Sequence, residues 1–169
     1  MKKKVKNRVA VFIDAANIEL SAKDIGFKID YRKLYDYLDQ NYRVKYLGFY
    51  TARFGTKKHD GFLTVMKKVG YKLITKPLKV IKNKDKKLGD IRKANFDVEI
   101  AVDAMKFWNR YEAILLFSGD SDFDYLVKEL RKGGKRVTVV SLKHHVSKEL
   151  IASADYYLDL RKIRSQFGR

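Results

Sequence analysis

Residues 113–126 read AILLFSGDSDFDYL, an apolar run that is followed closely by Asp120 and Asp122. Residues 114–117 form a continuous apolar run that is typical of a strand buried on both faces of a parallel sheet. A serine and a glycine then turn the chain, and Asp120 and Asp122 follow at the C-terminal end of the strand. Ligands of open α/β sheets bind at this edge. The stretch therefore predicts an α/β fold with an acidic site at the C-terminal edge of its sheet.

A helix is predicted immediately after the two aspartates. Ser121 and Asp124 have the spacing of a capping box, in which each side chain satisfies a backbone N–H group at the start of a helix. The apolar residues that follow recur at helical spacing and would face the sheet. They are Phe123, Leu126, Val127 and Leu130.

The same arrangement occurs near the start of the chain. Residues 9–13 form a short apolar run that ends in Asp14, and the segment from Asp14 to Asn17 begins a helix. Further strands are predicted at residues 43–51, 71–75 and 137–141, with helices between them. This order indicates a mostly parallel central sheet with helices on both faces. We predict a single three-layer α/β/α domain over residues 1–169.

A helix that begins around residues 95–97 follows the third predicted strand. Its residues Val98, Ala101, Val102 and Met105 recur at helical spacing. Such a stripe is expected to pack on the sheet. Asp97 would lie in the first turn of this helix.

Composition excludes several classes of protein. The 169 residues carry a net charge of +18 and no cysteine, which removes disulfides and cysteine-bound zinc. No apolar stretch is long enough to span a membrane, so we expect a cytoplasmic protein without a membrane partner. Dinucleotide-binding, P-loop and zincin motifs are absent. The charge favours a polyanionic partner, although a lysine-rich proteome would explain it equally well.

The most basic segment is residues 76–95, which could form a hairpin that projects from the sheet edge. We weigh a nucleic-acid-binding arm against a solvated loop, and charge alone does not separate the two. Residues 159–169 are expected to form a second, weaker basic segment, a C-terminal tail.

Three aspartates are expected to meet at the C-terminal sheet edge: Asp14, Asp97 and Asp120, with Asp122 beside the last. Each alone could simply cap a helix. Crowded together, they repel one another unless a cation neutralises them. Oxygen-only ligands of this kind suit Mg²⁺ or Mn²⁺ and not zinc.

Three ordered motifs resemble those of the NYN domain, a PIN-like nuclease family that includes the LabA-like proteins. The motifs are FIDAAN at residues 12–17, NFDVEIAVDAM at residues 95–105 and LFSGDSDFDYL at residues 116–126. The resemblance implies a PIN-like fold and RNA cleavage at an acidic metal site. It also implies that Asp14, Asp97 and Asp120 bind the metal.

The resemblance gives supporting roles to neighbouring residues. Asn17, Ser118 and Asp122 would support the metal ligands. Asp122 would be one of the catalytic residues, and Asn17 and Ser118 would bind substrate. Asp103 matches a further acidic position of the second motif, and we interpret it as supporting or structural. Basic residues of the arm are expected to bind substrate phosphates. They are Lys82, Lys84, Lys86, Lys87, Arg92 and Lys93.

The sequence therefore predicts a Mg²⁺- or Mn²⁺-dependent nuclease, and most specifically an endoribonuclease. Water attack on the phosphorus would leave a 5′-phosphate and a 3′-hydroxyl. The alternative is a regulatory module that binds RNA or other nucleic acid on the same fold and cleaves nothing. RNA is the preferred partner in either case, and assembly into a homodimer stays open.

Overall fold

The protein, seen in a computed structural model that describes residues 7–81 and 91–168, contains eight strands and seven α-helices within those residues. The strands are β1 (Arg8–Asp14), β2 (Arg43–Arg53), β3 (Lys72–Pro77), β4 (Lys79–Ile81), β5 (Ile91–Lys93), β6 (Ala113–Phe117), β7 (Arg136–Ser141) and β8 (Tyr156–Asp159). The helices are α1 (Ala15–Asp24), α2 (Tyr31–Asn41), α3 (Lys57–Val69), α4 (Asp97–Lys106), α5 (Asp124–Lys132), α6 (Lys148–Ser153) and α7 (Leu160–Phe167).

Six of the strands form one sheet in the order β3-β2-β1-β6-β7-β8, and every neighbouring pair is parallel. The predicted α/β fold with a parallel central sheet is confirmed. The strand order changes direction between β1 and β6, where Ile13 lies beside Phe117. Such a switch point opens a crevice outside the C-terminal ends of the two strands. The crevice lies between Asp14 and the SGDSD loop.

Helices cover both faces of the sheet and create two apolar cores. Side chains alternate along β1, so Val11 and Ile13 face one core and Ala10 and Phe12 face the other. The first core contains apolar residues of α1, α2, α3 and α7, and the second contains those of α4, α5 and α6. The three-layer architecture follows from this alternation, because a strand that is apolar on both faces needs cover on both.

Several predicted helix ends are confirmed by their capping contacts. The carboxylate of Asp30 accepts hydrogen bonds from the backbone N–H groups of Arg32 and Lys33 at the start of α2. Gly70 ends α3 with a φ of 123°, a conformation that side-chain-bearing residues rarely adopt.

The predicted capping box after β6 is wrong in its details. Residues 121–123 form a single 3-10 turn, and α5 begins only at Asp124. Asp120 caps the turn instead of Ser121, because its Oδ1 accepts a hydrogen bond from the Asp122 N–H group at 3.1 Å. The predicted apolar face is nevertheless buried, including Phe123, Val127 and Leu130.

The predicted buried face of α4 is also wrong. Val98, Val102 and Met105 are 71%, 58% and 53% exposed, whereas Ile100 and Ala104 are completely buried. Apolar residues lie on almost every side of this short helix, so their spacing did not select one face. The helix is rotated so that Ile100 and Ala104 pack on the sheet.

The two basic segments are both folded where they are described. The strands β4 and β5 pair antiparallel, with Lys79 opposite Lys93, as in the hairpin that residues 76–95 could form. Residues 159–167 are not a tail: Asp159 caps α7, and Leu160 and Phe167 are buried. The backbone of α7 is therefore anchored, although its cationic side chains remain exposed.

Candidate metal centre

Asp14 is the last residue of β1 and the N-cap of α1. Its Oδ1 accepts a hydrogen bond from the Asn17 N–H group at 3.3 Å, and its Oδ2 accepts one from the Ser118 hydroxyl at 3.4 Å. Ser118 follows the neighbouring strand β6, so this second hydrogen bond joins the ends of β1 and β6 across the switch point. The side chain of Asp14 is therefore held by both strands that border the crevice.

The loop after β6 is tied to α1 and is tightly packed. Gly119 donates its N–H group to the Asn17 Oδ1 at 2.9 Å, and Asp120 donates its own N–H group to the Ser118 hydroxyl at 3.3 Å. A Cβ atom on Gly119 would lie 1.9 Å from the backbone oxygen of His145. Only glycine fits at this position without movement of the loop. These contacts fix where Asp120 projects.

Asp97 reaches the same crevice from the opposite side. It is the first residue of α4, and its N–H group donates to the Asn95 Oδ1 at 2.9 Å. Phe96 and Ile100 are buried in the second core and hold the start of the helix against the sheet. The helix thus brings Asp97 to the SGDSD loop.

Three carboxylates converge here. One oxygen of each of Asp97, Asp120 and Asp122 lies within 4.8 Å of the others. Among the described residues, no lysine, arginine or histidine forms an ion pair with any of the three. The cluster therefore concentrates negative charge that the described side chains do not neutralise by direct contact.

The donor set fits a hard divalent cation. All three groups offer carboxylate oxygens, which Mg²⁺ and Mn²⁺ prefer, and neither histidine nor cysteine takes part. Ligand oxygens on opposite sides of a Mg²⁺ ion lie about 4.2 Å apart, since each Mg–O bond is about 2.1 Å. The limit of 4.8 Å within which the three carboxylate oxygens lie is close to this span. Asp97, Asp120 and Asp122 are the residues that could hold the ion.

Electrostatics connect Asp14 to the cluster. The pKa of Asp14 is raised to about 6, chiefly by burial and also by the charges of Asp97 and Asp120, against hydrogen bonds from Asn17 and Ser118 that lower it. Burial also raises the pKa of Asp97, as do the charges of Asp120 and Asp122, while the Asn95 hydrogen bond lowers it. Mutual repulsion of this kind is what a bound cation relieves.

The structure brings the four predicted aspartates to one edge of the sheet. The three with the closest oxygens, however, are not the three that were predicted to bind the metal. Asp122, which was not predicted as a metal ligand, joins Asp97 and Asp120 in the cluster of close oxygens. Asp14 lies beside that cluster without belonging to it, so its role as a direct metal ligand stays a prediction. Asn17 and Ser118 hold the backbone and carboxylates of the site in place, and their contact with substrate also stays a prediction.

The predicted basic arm lies largely outside the described residues. The side chains of Lys82, Lys84, Lys86 and Lys87 lie outside the described residues, and only the backbone is described for Arg92 and Lys93. Their substrate-binding role stays a prediction from charge.

One supporting network was missed by the sequence analysis. The Asp103 Oδ2 accepts hydrogen bonds from the hydroxyls of Tyr46 at 2.7 Å and Tyr50 at 2.8 Å. It joins α4 to β2, the strand next to β1. The signal was present in the sequence as two tyrosines four residues apart in a strand, but nothing in the sequence paired them with Asp103.

Comparison with protein families identifies the chain. The NYN domain model matches residues 8–161, which is nearly the whole sequence. The chain belongs to the NYN domain family. This NYN domain is therefore part of the PIN-like nuclease superfamily, and its role is nuclease-type or otherwise related to nucleic acid. The acidic cluster agrees with the divalent metals that nucleases of the family generally use.

Two relatives of this NYN domain cover most of its length. Low amplitude and bright protein LabA of Synechococcus elongatus is 31% identical over 161 residues, which cover 94% of this chain and 87% of that protein. A crystal structure of a protein of unknown function from Vibrio parahaemolyticus superposes with a TM-score of 0.80 at 25% identity, and each chain is covered completely. The LabA-like resemblance and the fold are both confirmed.

In the parts of the chain that are described, every helix is too short or too polar to cross a bilayer.

Proposed function

We propose that this NYN domain is a metal-dependent endoribonuclease. The observation that carries the proposal is the convergence of Asp97, Asp120 and Asp122 within 4.8 Å at the switch point of a NYN domain. The proposed substrate is single-stranded RNA, and the proposed ion is Mg²⁺ or Mn²⁺. When bound, such an ion supplies activation of water and stabilisation of the negative charge that develops at the phosphate.

The residues of the chain have distinct proposed tasks. Asp97, Asp120 and Asp122 bind the ion, and Asp14 adds negative charge beside them. Asn17 and the Ser118 hydroxyl hold Asp14 and the SGDSD loop in register, so that the carboxylates do not have to reorganise when substrate arrives. A preorganised site of this kind is the main way in which a protein stabilises developing charge.

Water attack predicts the products. Since a water molecule is the nucleophile, the 2′-hydroxyl does not attack, and cleavage should leave a 5′-phosphate and a 3′-hydroxyl. A product with a 2′,3′-cyclic phosphate would contradict this route.

The test uses the wild-type protein, Asp120→Asn and a control, Asp39→Asn, with labelled single-stranded RNA and the matching DNA. Asp39 is exposed on α2, in the opposite layer, and its variant makes the same chemical change away from the site. We expect cleavage with Mg²⁺ or Mn²⁺ and none with EDTA, a loss of at least about a hundredfold in Asp120→Asn, and no loss in Asp39→Asn. RNA should be cleaved in preference to DNA.

A second candidate function is nucleic-acid binding without cleavage. It is favoured by the net charge of +18 and needs no turnover at the acidic cluster. If the wild-type protein binds RNA but no divalent ion supports cleavage, or if Asp120→Asn cleaves at the wild-type rate, this second function replaces the first.

A further inference from the structure

A buried phenylalanine at the far end of α4 is surrounded by three cations. Phe107 is the residue directly after α4, its C-cap, and is 7% exposed. The Lys72 Nζ lies 4.7 Å from the centre of its ring, the Arg110 Cζ lies 5.0 Å away, and the Lys106 Nζ lies 5.7 Å away. All three distances are within the range of a cation–π interaction. The ring therefore gathers cations from β3, from the end of α4 and from the turn that follows.

The charge of this group, which we call the Phe107 patch, is not neutralised by an ion pair among the described residues. Lys72, Lys106 and Arg110 are exposed, and none of them forms an ion pair within the described residues. Lys76 provides a contrast on the same strand, because its Nζ is paired with the Glu99 carboxylate. Three like charges held around one ring repel one another, and an anion bound between them removes that repulsion.

The nearest acidic residue along α4 does not offset the patch by an ion pair. Asp103 lies one turn before Lys106, and its Oδ2 is occupied by the hydroxyls of Tyr46 and Tyr50. The Tyr46 ring itself lies under Lys72, whose Nζ is 5.3 Å from the ring centre. Aromatic rings rather than carboxylates therefore position these cations.

The patch and the acidic cluster are at opposite ends of one helix. Asp97 is the first residue of α4 and Lys106 is the last, so about 14 Å of helix separates their backbones. The edge strand β3 runs beside α4, and the two elements meet along a seam. Lys72 lies over Phe107 at one end of this seam, and Lys76 lies over Phe96 at the other. A strand of nucleic acid lying along this seam would span both groups.

We propose that Lys72, Lys106 and Arg110 form a distal phosphate-binding site for the single strand that is cleaved at Asp97, Asp120 and Asp122. This inference rests on the proposed function and extends it to the length of the substrate. Because Phe107 is buried, no base can stack on it, so the site holds phosphates and reads no sequence. Short oligonucleotides that reach only the acidic cluster gain no affinity from the distal site.

The test compares two triple variants that lose the same charge. The first is Lys72→Gln, Lys106→Gln and Arg110→Gln. The control is Lys67→Gln, Lys68→Gln and Lys162→Gln, which changes exposed lysines on α3 and α7 in the opposite layer. Both are made with Asp120→Asn. Binding to single-stranded RNA is measured over a salt series for lengths of about three nucleotides, which is below the usual site size, and about twelve nucleotides, which is within it.

We expect the first triple variant to bind the longer RNA at least about tenfold more weakly at low salt, with a log–log salt slope shallower by about 2, which corresponds to three phosphate contacts. Its binding of the short RNA should equal that of the control. A third variant, Lys72→Arg, Lys106→Arg and Arg110→Lys, keeps the charge and should retain the affinity. Thermal unfolding of each variant shows whether the fold is intact.

Three outcomes overturn the distal site: equal weakening in the first and control variants, equal weakening for both RNA lengths, or loss of affinity in the charge-preserving variant with its fold intact. These results are independent of cleavage. If the wild-type protein cleaves nothing but the longer RNA depends on the Phe107 patch, the distal site stands and the proposed nuclease activity fails. If cleavage occurs and the patch has no effect, the nuclease proposal stands alone.

Discussion

The hydroxyl of Tyr50 donates a hydrogen bond to the Asp103 carboxylate at 2.8 Å and thereby joins β2 to α4. Tyr46 makes a parallel bond to the same oxygen, and the two hydroxyls lie 2.9 Å apart. Burial raises the pKa of both hydroxyls well above the usual tyrosine range, so both remain protonated donors. Since α4 begins with Asp97, this network sets the position of one of the three clustered carboxylates.

Replacement of Asp103 should therefore destabilise the fold. In Asp103→Asn, neutral hydrogen bonds replace charge-assisted ones, and we expect a loss of about 1–3 kcal/mol in the free energy of unfolding. Urea denaturation measures this, with Asp39→Asn as the exposed control, which should change by less than about 0.5 kcal/mol. Equal stabilities for the two variants would show that the network contributes nothing to stability.

Asp14→Asn should raise stability in the absence of divalent ions. Folding raises the pKa of Asp14 from 3.8 to about 6, so the folded state binds a proton more tightly than the unfolded state does. The stability that this proton supplies is complete below pH 3.8 and is lost as the pH rises through 6. At pH 7.5 Asp14 of the wild-type protein is ionised, and this stability is absent. Asn at position 14 can still cap the helix, and it avoids up to about 3 kcal/mol of repulsion and desolvation.

A raised pKa of Asp14 also predicts that the stability difference between the two proteins depends on pH. Unfolding free energies of both proteins in EDTA, measured from pH 7.5 to pH 4.5, should show that the advantage of Asp14→Asn shrinks as the pH falls below 6. An advantage that stays constant over this range would contradict a raised pKa for Asp14.

Gly119→Ala should disrupt the site through steric overlap. The added Cβ would lie 1.9 Å from the His145 backbone oxygen and 2.8 Å from the Ser141 hydroxyl, so the loop that carries Asp120 must move. We expect about 1–3 kcal/mol of destabilisation. We also expect a clear loss of the rise in melting temperature that Mg²⁺ or Mn²⁺ produces when it binds the native state.

A matched control for this change lies in α3. Gly61 has no atom within 4 Å of an added Cβ, and alanine favours a helix over glycine, so Gly61→Ala should be neutral or stabilising by up to about 1 kcal/mol. Ion-induced stabilisation should be unchanged in the control. Equal behaviour of the two variants would show that the packing of Gly119 does not position the carboxylates.

The four arm lysines are a separate prediction from charge. Changing Lys82, Lys84, Lys86 and Lys87 to Gln should weaken nucleic-acid binding similarly for all sequences and make the salt slope shallower by roughly 0.7 for each lost contact to a single strand. Base preference should survive, because phosphate contacts carry no sequence information. The control changes Lys28, Lys67, Lys68 and Lys162 instead. If the salt slope changes no more than in the control variant, the arm is a solvated loop and does not bind phosphates.

Local sequence determined most of the fold. Apolar runs that end at Asp14 and before Ser118 predicted buried parallel strands, and the capping residues Asp30 and Gly70 predicted helix ends, because each signal depends on neighbouring residues in the chain. The same local signals placed the predicted aspartates at one sheet edge, since parallel strands present their C-terminal ends together.

Tertiary structure decided what depends on distant partners. The rotation of α4 was decided by packing of Ile100 and Ala104 on the sheet, because the helix is apolar on almost every side. Asp122 rather than Asp14 joins the cluster of close oxygens because of the 3-10 turn and because the loop is packed against His145, and this second contact joins residues that are distant in the sequence. Of the cations around Phe107, Lys106 and Arg110 are its neighbours in the sequence, whereas Lys72 is brought from β3 only by the folded chain.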